Sequence, residues 1–328
     1  MTLAWLNELL KPGITANLED GVWRYHSQQD DQFYGEYLPR EFLEHLDFAK
    51  VVGWREAVEH GLRLLPPEVA DYTRDYFLAP YRSDFVEELK LGPGAKVLDL
   101  ACGWGFASQR CLEKGTNVVG TEIARKRLQF CVDRFAQQGF GERFVGVELD
   151  ANRSLPFVAG SFDAVIVSGL LEWVACSKTG DPGSIQREFM DQVFSVVRPG
   201  GLLFLAIENR YWSAYFRGAQ DLHTHRPWAS ILPRRLGRAY SILRYGEDYR
   251  AFCYSLTDYL NWFQRQGYHG ATVLYPEPDY VQPKQVSCLM RDLQLDRPSP
   301  LKRREILQAA GDRRAAAWGR SFMFIVTK

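Results

Sequence analysis

The stretch Val97 to Gly105, VLDLACGWG, constrains this chain more than any other. An apolar, β-branched run passes straight into Gly-x-Gly and then into the helical pattern ASQRCLEKG. Glycines at 103 and 105 let the backbone turn tightly and approach a ligand, and the helix that follows points free amides at whatever sits there. A loop of this kind is weak evidence alone, so its surroundings decide. From Lys96 to Asn209, short β-branched runs (AKVLDLA, NVVGTEI, RFVGVELD, FDAVIVSG, LLFLAIEN) alternate with helical stretches such as ARKRLQFCVDRFAQQG and SIQREFMDQVFSVVRPGG. Alternation of this sort is the mark of βαβ units, a mostly parallel sheet with helices on both faces.

The expected fold is therefore α/β, a Rossmann-like doubly wound sheet. ATVLYP and RSFMFIVTK are two further strand candidates, giving seven strands in all. Punctuation divides the remainder. Residues 1–88 mix short helical patterns with Trp5, Trp23, Tyr25, Phe33, Tyr34, Tyr37 and Trp54, and read as an N-terminal helical cap. Residues 89–208 are the core. Residues 209–254, rich in arginine and aromatics and broken by Pro227 and Pro233, read as a lid inserted after the fifth core strand. Residues 255–328 complete the sheet.

With 46% apolar and 24% charged residues, the chain can bury a full core, which argues against a disordered or disulfide-stapled protein. Forty basic and forty acidic side chains cancel, so the whole chain is no electrostatic partner for nucleic acid or an anionic membrane. A local basic face stays open: residues 210–250 carry 8 arginines against 3 acids. No window approaches a spanning helix, so stable membrane insertion is not expected. MTLAWLNELLKPG lacks a basic signal-like start, and a cytoplasmic location is the expectation. The six cysteines form no C-x-x-C pair and read as reduced thiols.

Glu122 ends the second core strand about 20 residues past the glycine loop, where a carboxylate can accept two hydrogen bonds from a ribose diol. Nicotinamide cofactors and S-adenosylmethionine would both use that contact. The third glycine that lets a helix pack beside a pyrophosphate is missing, because its place is Ser108. At the third strand's end, Asp150 offers an acceptor to an adenine amine and Ala151 leaves room for a base.

VLDLACGWG, Glu122, LDANRSLPF, SFDAVIVSGLLEWV and FSVVRPGGLLFLAIENR, in that order, resemble the class I S-adenosylmethionine-dependent methyltransferases over roughly residues 90–210. GLLEWV, AIENRYWSAYFRGAQDLHTHRPWASILPRR and LYPEPDYVQP are similar to a bacterial subgroup associated with polysaccharide and glycan systems. The resemblance implies S-adenosylmethionine as cofactor and S-adenosylhomocysteine as product. Asp99, Ala101, Gly103 and Gly105 would surround the methionine portion, Glu122 and Ile123 the ribose and one adenine face, and Asp150 and Ala151 the adenine edge. Ser168, Leu170 and Glu172 would lie beside the sulfonium where substrate enters, with Trp104 and Trp173 as apolar walls. The implied acceptor is a small molecule or glycan, most simply a sugar hydroxyl. The alternatives are a natural product or lipid methylated at O, N or C, or a non-catalytic adenosyl-binding partner of a glycan-assembly complex. No nucleic-acid partner is implied, and oligomeric state is open.

Methyl transfer to a hydroxyl needs an in-line nucleophile and a base for its proton. The ionisable candidates after the fourth and fifth core strands are Glu172, Glu208, Asp221, His223 and His225. Imidazole's free pKa favours His223 as base, with Glu172 or Glu208 orienting base or acceptor. Asp221, His223 and His225 form D-x-H-x-H, which on an extended segment is able to bind a divalent metal, but nothing else completes such a site and no metal is expected.

Overall fold

A computed structural model describes residues 4–25, 38–151 and 153–328. Phe33, Tyr34 and Tyr37 of the aromatic-rich N-terminal region, and Asn152 of LDANRSLPF, lie outside the described residues. The chain forms two compact units, Met1–Ile166 and Val167–Lys328. Ten strands occur among the described residues, where the sequence suggested seven.

The strands of the first unit are β1 (Leu18–Glu19), β2 (Val22–Arg24), β3 (Lys96–Leu100), β4 (Asn117–Glu122), β5 (Phe144–Glu148) and β6 (Phe162–Ser168), the last ending two residues past the unit boundary. Their order is β1-β2-β5-β4-β3-β6. Strands β2, β5, β4 and β3 run parallel, with Leu100 opposite Thr121 and Glu122 opposite Glu148. Residues Val97–Leu100 and all of β5 are buried, as a strand covered on both faces requires. The crossovers are helices Phe106–Glu113 and Arg125–Gln137.

Two of the extra strands correct the reading of residues 1–88 as helical alone. Asp20 and Gly21 both take positive φ and link Leu18–Glu19 to Val22–Arg24 as a two-residue hairpin, and β2 then adds in parallel to β5. The helices of this region, including Arg40–Leu46, Trp54–Arg63 and Pro67–Leu78, bury Phe42, Leu46, Val58, Leu62 and Phe77 in one cluster with Trp104 and Phe130. Trp104 is edge-on to Phe130 at 5.6 Å and almost wholly buried, so it is a core residue and not an open wall for a ligand.

In the second unit lie β7 (Val197–Glu208), β8 (Gly270–Glu277), β9 (Gln285–Gln294) and β10 (Ser321–Thr327), ordered β7-β10-β8-β9 with antiparallel neighbours. Strand β9 falls between the two strand candidates ATVLYP and RSFMFIVTK and was not among them. Its residues are mostly exposed, so no apolar alternation announced it. Helix Pro182–Val196 starts on Asp181, whose carboxylate accepts from Ser184 N, and helix Leu256–Gln266 starts on a Ser255/Asp258 capping box. Residues 209–254 carry a helix, Arg234–Tyr245, and a small core of Ala229, Tyr249 and Phe252.

Candidate active site

The carboxyl ends of β3, β4 and β5 gather the residues assigned to a cofactor. After β3 the chain turns through three left-handed positions, Ala101, Gly103 and Gly105. At Gly105 an added Cβ would strike the Phe135 ring at 2.7 Å, so this position tolerates no side chain. At Gly103 an added Cβ would meet nothing within 4 Å: the loop faces open space there. Glu122, at the end of β4, is buried, and one carboxylate oxygen accepts from the amides of Ile123 and Ala124 at 2.8 and 3.0 Å. The other accepts from Gly103 N at 3.1 Å, tying β4 to the glycine loop. A carboxylate accepts about four hydrogen bonds, so with three taken capacity remains for about one more, from one ribose hydroxyl.

Asp99 sits deeper. Burial pushes its carboxyl up to about 6, although Ser108 Oγ donates to it at 2.6 Å. Ser108, the residue standing in place of a third glycine, thus fastens its helix to β3. Asp150 and Ala151, past β5, and Ile123, past β4, are half-buried. The adenosyl group fits this edge: a glycine loop opening on empty space, a carboxylate with spare acceptor capacity and a half-exposed acid follow three adjacent parallel strands.

The second unit holds a separate cluster. His223 Nε2 lies 3.1 Å from Glu208 Oε2, and both side chains are nearly inaccessible. Tyr280 donates its hydroxyl to Glu172 Oε1 at 3.4 Å, and Trp173 meets the His223 ring edge-on at 4.9 Å. Burial pushes Glu172 up to about 8, helped by the charge of Glu208. Burial acts on Glu208 in the same sense, but His223 outweighs it and holds Glu208 below the ordinary carboxylate range. Burial would lower His223, yet Glu208 wins there too and raises the imidazole well above its usual value. At neutral pH the cluster is thus a protonated Glu172 beside a Glu208–His223 ion pair.

Glu172, Glu208 and His223, separated in sequence, are brought together here. Asp221 does something else, since its carboxylate accepts from His223 N, Thr224 N and Thr224 Oγ1, and from the Tyr249 hydroxyl at 3.0 Å. It shapes the turn that presents His223. His225 is exposed with a positive φ. The D-x-H-x-H motif is therefore a turn and not an extended ligand set. The donor atoms of Glu208, His223 and Cys253 do lie within 4.8 Å of one another. With no ion beside it, burial pushes the Cys253 thiol up to about 12.

Two cluster members, Tyr280 and Cys253, were not singled out from sequence. Tyr280 belongs to the LYPEPDYVQP segment, and it stands against Gly169, where an added Cβ would meet its hydroxyl at 2.8 Å. Ser168 and Leu170 flank that glycine and are half-buried.

The class to which this fold belongs is the Rossmann-like methyltransferases: a family model described as a methyltransferase domain matches residues 97–201. A ubiquinone biosynthesis O-methyltransferase of Chromobacterium violaceum is 33% identical over 170 residues, covering 48% of this chain and 68% of that relative. One of the same name from Pseudomonas aeruginosa is 32% identical over 136 residues, and there the chain spans only 54% of the relative's length. A solved methyltransferase structure from Methanosarcina mazei superposes with a TM-score of 0.46 at 16% identity, covering 75% of this chain and 97% of that one. The chain belongs to the S-adenosylmethionine-dependent methyltransferases, and S-adenosylmethionine is its cofactor. The curated names concern ubiquinone biosynthesis, not polysaccharides, so the glycan subgroup suggested by sequence finds no support in them. No helix among the described residues is long and apolar enough to cross a membrane.

Proposed function

We propose that this protein methylates a hydroxyl of a small organic molecule and that His223 is the general base. The observation that carries the reading is the buried His223–Glu208 pair. Glu208 holds Nε2, while Nδ1 is buried and takes no hydrogen-bond partner among the described residues. A carboxylate on one ring nitrogen, leaving the other for a substrate proton, is the arrangement that general-base catalysis needs. The cofactor, when bound, supplies an already activated methyl to an in-line nucleophile. Gly103 would leave space for its methionine portion, Glu122 would accept from a ribose hydroxyl and Asp150 from the adenine amine. His223 would take the acceptor's hydroxyl proton on Nδ1 once the imidazole has lost the proton that it carries in the ion pair. Tyr280 and the neutral Glu172 keep a second negative charge away from Glu208.

Among acceptors, the names of the relatives favour a natural product or lipid-like molecule over a sugar. The test is a panel of phenolic and sugar hydroxyl acceptors incubated with deuteromethyl-labelled cofactor and read by mass spectrometry. Label in a phenolic or other non-sugar hydroxyl supports the reading. Label confined to sugars reverses the acceptor preference, and label on nitrogen or carbon overturns O-methylation.

A further inference from the structure

Helix Arg234–Tyr245, RRLGRAYSILRY, takes no part in the chemistry above and is built in an unusual way for a surface helix. Its inner face is packed without slack: Gly237 and Ser241 are buried, and a Cβ on Gly237 would meet Ala229 O at 2.8 Å. That close seat fixes which residues point away. At 100° per residue, Leu236, Ala239, Ile242 and Leu243 fall on the opposite face, with Arg235 among them near the start of the helix. Leu243 is 87% exposed, Leu236 58% and Ile242 50%, so the outward stripe of this helix is apolar. A surface helix ordinarily places charged side chains there, and contiguous exposed apolar surface marks an interaction site.

Charge says what kind of partner the stripe fits. The helix carries four arginines and no acid. Arg234 donates to Cys253 O and Arg238 pairs with Asp248, which commits both to the fold. Arg235 and Arg244 are exposed and enter no ion pair among the described residues. Tyr245, 42% exposed, closes the helix with an amphipathic ring. Apolar side chains on the outward face, a free arginine among them, a second exposed arginine in the last turn and an aromatic at the end are the makeup of a helix that lies in the headgroup layer of an anionic bilayer. A protein partner complementary to this stripe would need acids ringing an apolar groove. A bilayer offers both features everywhere on its surface.

We infer that helix Arg234–Tyr245 docks the protein reversibly on anionic lipid surfaces. It does so through Leu236, Ile242 and Leu243 at the acyl boundary and Arg235 and Arg244 at the phosphates. The inference is independent of the acceptor's identity and of His223's role. It is tested by floating the full chain with vesicles of phosphatidylglycerol or of phosphatidylcholine, at low and high salt. Binding to phosphatidylglycerol alone, weakened by salt, is expected. The pairs Leu236→Glu/Leu243→Glu and Arg235→Glu/Arg244→Glu should each weaken it about tenfold or more, because each arginine contributes roughly fivefold and each lost apolar contact a similar factor. Affinity for S-adenosylhomocysteine should be unchanged in both. No binding, equal binding to both lipids, or variants that bind as well as the parent would overturn the inference. So would a self-association in sedimentation velocity that Leu243→Glu abolishes, which would assign the stripe to a second copy.

Discussion

His223 and Glu208 face each other at 3.1 Å with side chains 5% and 6% exposed, so neither is readily solvated by water. Each sets the other's charge. The carboxylate raises the imidazole and the imidazole lowers the carboxylate, and both effects overcome burial. The turn that supplies His223 is held by Asp221 through three local hydrogen bonds and one from Tyr249, which gives the base a fixed position.

Replacing the base separates chemistry from binding. His223→Gln keeps the ring's approximate volume and a donor toward Glu208 but accepts no proton at useful pH. Turnover should fall roughly 10²- to 10⁴-fold while S-adenosylhomocysteine binding holds. Steady-state kinetics beside calorimetry checks this; a raised KM at full kcat would reduce His223 to a substrate contact.

The pH dependence follows from the direction of the shift. A base acts only when deprotonated, and the His223 pKa lies well above the ordinary imidazole value. Hence kcat/KM should be low at neutral pH and climb through the alkaline range, with a limb that His223→Gln removes. A profile already flat at pH 7 would contradict the ion-pair description.

Glu172 affects stability with a definite sign. Its folded value of about 8 exceeds its unfolded value, so the folded state keeps a proton that the unfolded chain sheds. Stability from this group is complete below the unfolded carboxylate value and declines as pH rises toward about 8. Glu172→Gln, neutral at every pH, should therefore gain melting temperature over the parent at pH 8, by roughly 2 °C or more, and gain much less at pH 5. A constant difference across that range in thermal scans would show that the carboxyl is not protonated in the fold.

Metal removal should change nothing. Because the proposed transfer uses His223 as a proton acceptor and routes no step through a metal, dialysis against a chelator should leave turnover within about twofold, and elemental analysis should find well under one zinc per chain. Stoichiometric zinc would convert the cluster from a proton acceptor to a ligand set.

Much of the core was legible because buried parallel strands write themselves as apolar runs: AKVLDLA, NVVGTEI and RFVGVELD all became strands of the first unit. The hairpin at Asp20-Gly21 carried a turn signal, yet its strands are two and three residues long, too short for periodicity to register. Strand β9 was hidden for another reason, since a mostly exposed strand owes its place to backbone pairing with β8 and not to an apolar pattern. In the candidate site, Glu208 and His223 were proposed by asking which groups accept a proton, and the structure brings the two side chains together. Tyr280 and Cys253 were missed because their roles arise from long-range packing that spacing does not encode. Trp104 shows the converse error: its neighbours are loop glycines in sequence but aromatic core residues in space.

The most direct test is calorimetric titration of S-adenosylhomocysteine into the parent chain, Glu122→Ala and His223→Gln, with melting temperatures recorded for each. One site is predicted in the parent. Affinity should fall by about 1.5 to 3 kcal/mol in Glu122→Ala, which removes the charged acceptor of the ribose diol, while His223→Gln should bind as the parent does. An unchanged affinity in a folded Glu122→Ala, or no binding by the parent, would contradict the account.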